Sequence, residues 1–284
     1  MFCCGARALP RPPPSTAHAL VTGGCSGIGF ALAEGLARAG WPLLLVSDQS
    51  IRLEAAAATL ALAHGVSVRP VVVDLARPDA VAQLLRAVEA LPGPPPEVEV
   101  LCANAGFFFF GEAVDADAAR AAAMLQLHVI TTSLLCQYFC RAMRTRRRGW
   151  VLVTASISAW LAAPGISYYA SSKAFQRAFV ASLRCELRVW GVNVTLLAPG
   201  ATATALYDAT ERVDVPKARR WGVMVDPDFV AREGLRALFD GRAVAIPGAL
   251  AKVMCCCMAV TPQWIMDCLR SCTSFLPHPD RQVR

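Results

Sequence analysis

The chain has 284 residues, 55% of them hydrophobic and 17% charged, with a formal net charge of +7. That length buries a substantial core in one α/β domain, and the apolar content excludes a disordered or low-complexity chain. Part of the charge is one cluster, Arg141, Arg144, Arg146, Arg147 and Arg148, which has neither interleaved aromatic residues nor a recognisable nucleic-acid module. It reads as a solvated helix end complementing the helix dipole, with attraction to anionic lipid as the alternative; no nucleic-acid partner is expected.

Residues 1–16 contain Pro10, Pro12, Pro13 and Pro14 and read as a flexible lead. Cys3 and Cys4 in it are either ordinary thiols or acylation sites. A regular alternation starts at Ala17. Strands are expected at Ala19–Val21, Leu43–Val46, Val68–Val73, Val98–Cys102, Trp150–Thr154, Val192–Leu197 and Val244–Ile246. Helices are expected from the Gly turn to Arg38, over Ile51–His64, Asp79–Leu91 and Asp115–Met143, from the Tyr168 region to Val189, and over Pro227–Phe239. Apolar strands alternating with helices mean a parallel sheet covered on both faces. The twelve cysteines form no framework of spaced pairs, and the N-terminal residues do not read as a secretory apolar stretch. They read as reduced intracellular thiols, and their spacing does not suit zinc, so no metal is expected.

Two stretches carry chemistry. Gly23, Gly27 and Gly29 lie between the first strand and the first helix. Such a turn lets the backbone approach a pyrophosphate, which then meets the positive end of the helix dipole. Asp48, 19 residues past Gly29 at the end of the second strand, suits the ribose hydroxyls of NAD and repels the extra phosphate of NADP. The alternative role is an N-cap of the following helix. Tyr169 and Lys173 are four residues apart, hence one above the other on a helix face. A nearby ammonium favours the phenolate, and bringing a tyrosine from about 10 to about 7 requires roughly 4 kcal/mol.

In these motifs the chain resembles the short-chain dehydrogenase/reductase family, in its single-domain branch. The resemblance rests on Thr22-Gly23-x-x-x-Gly27-Ile28-Gly29, Asn104-Ala105-Gly106, Ser156 placed 13 residues before Tyr169, Tyr169-x-x-x-Lys173, and Pro199-Gly200 followed by Thr204. It implies a Rossmann-type doubly wound parallel sheet of about seven strands with helices on both faces, spanning 17–248, and a C-terminal extension over 249–284. It also implies an NAD(P)-dependent oxidoreductase interconverting a carbonyl and a secondary alcohol. Tyr169 is then the acid/base, Lys173 lowers its pKa and binds ribose, and Ser156 hydrogen-bonds the substrate oxygen. The implied cofactor contacts are Gly23, Ser26, Gly27, Ile28, Gly29, Asp48, Asp74, Asn104, Ala105, Gly106, Tyr169, Lys173, Pro199, Gly200, Thr202 and Thr204, with NAD favoured over NADP through Asp48. A homodimer or homotetramer through the two long helices, in the cytoplasm, is also implied.

One position departs from the pattern. Where the family has an asparagine that helps hold a proton-relaying water, this chain has His128. Imidazole can donate and accept, so His128 is a candidate catalytic residue in a modified relay, or else marks a weakened enzyme. The second reading makes the protein a cofactor-binding regulatory or scaffold protein. Phe107 to Phe110, Trp160, Leu161, Leu206, Tyr207 and Trp221 suggest an apolar cleft for a lipid, steroid or retinoid-like carbonyl or alcohol, and so a place in lipid metabolism. The apolar, Cys-rich tail after Gly248 is too short to span a bilayer. It packs on its own domain or a partner subunit, or makes peripheral membrane contact.

Overall fold

The structure is a computed structural model that describes residues 17–161, 163–203, 224–262 and 264–265. Its strands are β1 (Ala17–Thr22), β2 (Leu43–Ser47), β3 (Val68–Val72), β4 (Glu97–Ala103), β5 (Gly149–Thr154), β6 (Val192–Leu197) and β7 (Val244–Ala245). They form one parallel sheet in the order β3-β2-β1-β4-β5-β6-β7. The order reverses direction between β1 and β4, and a crevice opens at such a switch point beyond the strand C-termini.

The helices are α1 (Gly27–Arg38), α2 (Ser50–His64), α3 (Ala80–Glu89), α4 (Ala118–Leu125), α5 (Thr132–Arg146), α6 (Ser167–Arg188), α7 (Pro227–Phe239) and α8 (Ala249–Val260). They cover both faces because the strands are apolar on both. Leu43 and Leu45 of β2 join Leu32, Leu36, Trp41 and Leu235 on one face, whereas Leu44 and Val46 join Leu84, Leu101, Phe139 and Val151 on the other. Each fully buried leucine contributes about 1.5–3 kcal/mol, so this two-sided burial is what makes the strand runs continuously hydrophobic.

The helix expected over 115–143 differs in two respects. It begins at Ala118, because the Asp117 carboxylate accepts from the Arg120 N–H at 2.7 Å and caps it there. It is also interrupted: Gln126–Thr131 is a π-helical turn between α4 and α5. By length and composition the 118–146 stretch could cross a bilayer. In the fold, however, Leu135, Cys136, Phe139 and Met143 pack into the sheet core. The seventh strand stops at Ala245, one residue short of the expected end.

The tail forms α8, which packs on the short 3₁₀ turn Ile157–Trp160. Cys255 faces inward, while Val253, Val260 and Trp264 are exposed. The eight cysteines among the described residues are free thiols. Residues 1–16, the expected lead with Cys3 and Cys4, lie outside the described residues.

Candidate active site

The C-terminal ends of β1, β2, β4, β5 and β6 border a cleft of about 390 Å³. At one end is the Gly turn. Gly23 (φ +66°) and Gly27 (φ +52°) both take left-handed backbone angles. A Cβ on Gly29 would fall 2.0 Å from the Gly23 carbonyl oxygen, so only glycine lets α1 start this close to β1. Ser26, the N-cap of α1, makes no side-chain capping hydrogen bond, and no acidic residue occupies the first turn. The helix therefore presents its first N–H groups and positive dipole end to the cleft, which fits a pyrophosphate.

The turn is tied to β4 through Thr22. Its buried hydroxyl accepts from the N–H groups of Asn104 and Ala105, each at 2.9 Å, and the Asn104 side-chain amide donates to the Thr22 carbonyl at 3.2 Å. Asn104-Ala105-Gly106 is thus held beside Gly23. Asp48 is exposed at the cleft and accepts from the Ser47 hydroxyl at 3.2 Å. It does not cap α2, whose N-cap is Gln49. Asp74 lines the same side and accepts from the Ala76 N–H at 2.9 Å.

The other end of the cleft holds Ser156, Tyr169 and Lys173. Ser156 lies two residues past the end of β5 and N-caps the 3₁₀ turn, accepting from the Ser158 N–H at 3.1 Å, so its own O–H is free to donate into the cleft. Tyr169 and Lys173 lie one turn apart in α6, and the Lys173 Nζ stands 5.5 Å from the tyrosine ring centroid. Lys173 is 3% exposed and donates to the Thr154 carbonyl at 3.0 Å and the Gln176 Oε1 at 3.1 Å. Burial pulls its pKa down from 10.5 to about 7.

His128 is wholly buried in the π-helical turn. Its Nε2 accepts from the Phe107 N–H at 3.2 Å, and its Nδ1 meets the Ser172 hydroxyl at 2.9 Å. Because a backbone N–H can only donate, Nε2 is unprotonated and the proton sits on Nδ1. Burial, then the Lys173 charge, hold its pKa well below the usual range, which agrees with a neutral ring. The Ser172 hydroxyl in turn donates to the Tyr169 carbonyl at 2.8 Å. The imidazole thus links the loop after Asn-Ala-Gly to α6.

Aromatic residues wall the tyrosine. The Phe108 ring meets Tyr169 edge-on at 4.9 Å and Phe110 at 4.8 Å, and Phe109 tilts against Tyr168 at 6.3 Å. Trp160 is capped instead by Arg177, 5.2 Å from its ring, and packs towards the core.

The cleft brings together most of the residues expected from sequence, including Ile28, Pro199, Gly200 and Thr202. Gly29 lies behind it, in α1. Thr204, Leu206, Tyr207 and Trp221 lie outside the described residues. Sequence reasoning did not single out Thr154, Ser172 or Gln176. For Gln176 a signal existed: it is a polar residue on the inward face of α6, in register with Lys173 and Val180.

The short chain dehydrogenase family model matches residues 17–213. An uncharacterised oxidoreductase of Myxococcus xanthus is 32% identical over 248 residues, covering 83% of this chain and 92% of its own. A 1-deoxy-11-beta-hydroxypentalenate dehydrogenase of Streptomyces avermitilis is 34% identical over 212 residues, 72% of this chain and 71% of its own. A solved short-chain dehydrogenase from Sphingobium yanoikuyae in complex with NADPH is 25% identical and superposes with a TM-score of 0.74, over 93% of this chain and 99% of its own. The chain belongs to the short-chain dehydrogenase family, as its motifs suggested. It is an NAD(P)-dependent oxidoreductase acting on CH–OH groups, built on a Rossmann-type sheet.

Proposed function

We propose that Ser156, Tyr169 and Lys173 interconvert an apolar carbonyl compound and its secondary alcohol. The observation that carries this reading is that the Gly turn and these three side chains line one continuous cleft. Tyr169 exchanges the proton at the substrate oxygen. The Lys173 ammonium favours the phenolate and, through its remaining donor, holds the nicotinamide ribose. Ser156 donates to the same substrate oxygen where negative charge develops. A nicotinamide cofactor bound in the cleft would supply the hydride in reduction and accept it in oxidation.

The pyrophosphate would rest on Gly23, Ser26, Gly27 and Ile28, the adenine beside Asp74, and the nicotinamide among Asn104–Gly106, Pro199, Gly200 and Thr202. Asp48, exposed at the cleft, supports NAD over NADP, because a carboxylate there accepts from ribose hydroxyls and repels a phosphate. In this reading the His128 ring positions the loop and helix that flank Tyr169. Phe108 against Tyr169 supports a bulky apolar substrate, and the likeness to a hydroxypentalenate dehydrogenase fits a CH–OH centre on such a skeleton.

Tyr169→Phe tests the assignment against a panel of apolar ketones and alcohols with both cofactors. Turnover should fall by about a thousandfold while cofactor affinity, measured by titration, is retained. Unchanged turnover would sink the assignment. A native protein that binds cofactor but converts nothing in the panel would favour the binding-protein reading.

A further inference from the structure

Lys173 is buried, and among the described residues it hydrogen-bonds no carboxylate. The groups around its ammonium are the Thr154 carbonyl from β5, the neutral His128 of the π-helical turn, and Tyr169 and Gln176 of its own helix. An isolated ammonium in such a place loses its hydration and drifts towards the neutral form, so its acceptors decide whether it stays charged.

Gln176 is one of those acceptors, and its orientation is fixed from both sides. Lys173 can only donate, so it must meet Oε1, at 3.1 Å; the His128 carbonyl can only accept, so it must meet Nε2, at 2.8 Å. The carboxamide therefore cannot flip without breaking both bonds. Its side chain is 2% exposed, between a lysine 3% exposed and a fully buried histidine.

We propose that Gln176 is a positioning residue for Lys173, an amide strut braced on the His128 carbonyl that fixes the lysine head and seals its inner side. It rests on the catalytic reading of Lys173 given above. Of three ammonium protons, one goes to Thr154 and one to Gln176, which leaves one for the cleft. An amide held in this way does not pass protons on, so Lys173 exchanges its proton with solvent only through the cleft. The π-helical turn contributes through its backbone: the side chain of His128 serves the Phe107 loop, and its carbonyl serves the strut.

The first readout needs no substrate. The chain has three lysines, Lys173, Lys217 and Lys252. Isotope-labelled lysine therefore gives three side-chain signals in solution NMR, with Lys252→Arg aiding assignment. The native protein is titrated beside Gln176→Leu, which removes both strut bonds, and Gln176→Glu, which keeps the shape and adds a negative charge beside Nζ. The Lys173 midpoint should fall by about one pH unit in the Leu variant and rise by about one or more in the Glu variant. Cofactor-supported turnover should drop about 10- to 100-fold in the Leu variant, and the drop should be relieved at low pH, which a general packing defect would not produce. If the Leu variant does not fold, the near-isosteric Glu variant carries the test. An unmoved midpoint in a folded variant overturns the proposal. Full turnover by Lys173→Met, with the midpoints moving as stated in the Gln176 variants, would instead remove the catalytic reading and leave the strut in place.

Discussion

Lys173 allows a stability measurement that requires neither substrate nor cofactor. Burial brings its pKa from 10.5 to about 7 in the folded protein. An unfolded chain releases the same proton near about pH 10.4. Between these values the unfolded chain binds a proton that the folded chain lacks. Stability from this residue therefore rises with pH across the window, by about 1.4 kcal/mol per unit, is full above the unfolded value, and is lost as pH falls to the folded one. Lys173→Met removes the titration and leaves every other group in both proteins. Urea unfolding of the two proteins at about pH 7.5 and about pH 9.5 isolates the effect, and the native protein should gain about 2–3 kcal/mol on the variant between them. A difference that stays constant across those two conditions refutes the claim that this lysine is held in a dry site. The variant's absolute stability is a separate matter, because it also strands the Thr154 and Gln176 acceptors.

Thr22→Val keeps the shape of the side chain but orphans the N–H groups of Asn104 and Ala105, at about 1–3 kcal/mol each. The variant should be less stable by about 2–5 kcal/mol in denaturant titration and should bind cofactor more weakly; a loss below about 0.5 kcal/mol would show that the clamp is not under load. Asp48→Ser should move the ratio of NADH to NADPH affinity towards NADPH by about tenfold, read by fluorescence titration. An unaltered ratio would mean that the carboxylate does not face the ribose.

The sheet and the principal site residues were readable because each has a local cause. Two-sided burial writes continuous apolar runs into the strands, and the turn before α1 needs glycine at Gly23, Gly27 and Gly29 for conformation and clearance. Asp48 was ambiguous in sequence because a carboxylate just before a helix can also cap it; backbone placement makes Gln49 the cap. The π-helical turn left no trace, since one added residue per turn hardly disturbs the apolar pattern of α4 and α5. The roles of the His128 ring and carbonyl were likewise hidden. Their partners, Phe107, Ser172 and Gln176, come from segments 21 to 48 residues away, and no spacing rule links them.

The Thr22 clamp has a bearing on how the protein folds. Its bonds join residues 80 to 83 positions apart, and the parallel pairing of β1 with β4 closes the same long loop. Closing a loop of that length costs chain entropy before any contact rewards it, so this pairing is a slow, high-contact-order event. Until it occurs, the Gly turn is held from the β2 side alone, through the Gly23 N–H on the Val46 carbonyl at 2.8 Å, and the Tyr169 end of the cleft has no counterpart. During synthesis the chain must therefore emerge beyond Ala105 before a cofactor can select the native arrangement. Nicotinamide dinucleotide present at that stage would act as a folding ligand, drawing the two halves of the sheet together by mass action.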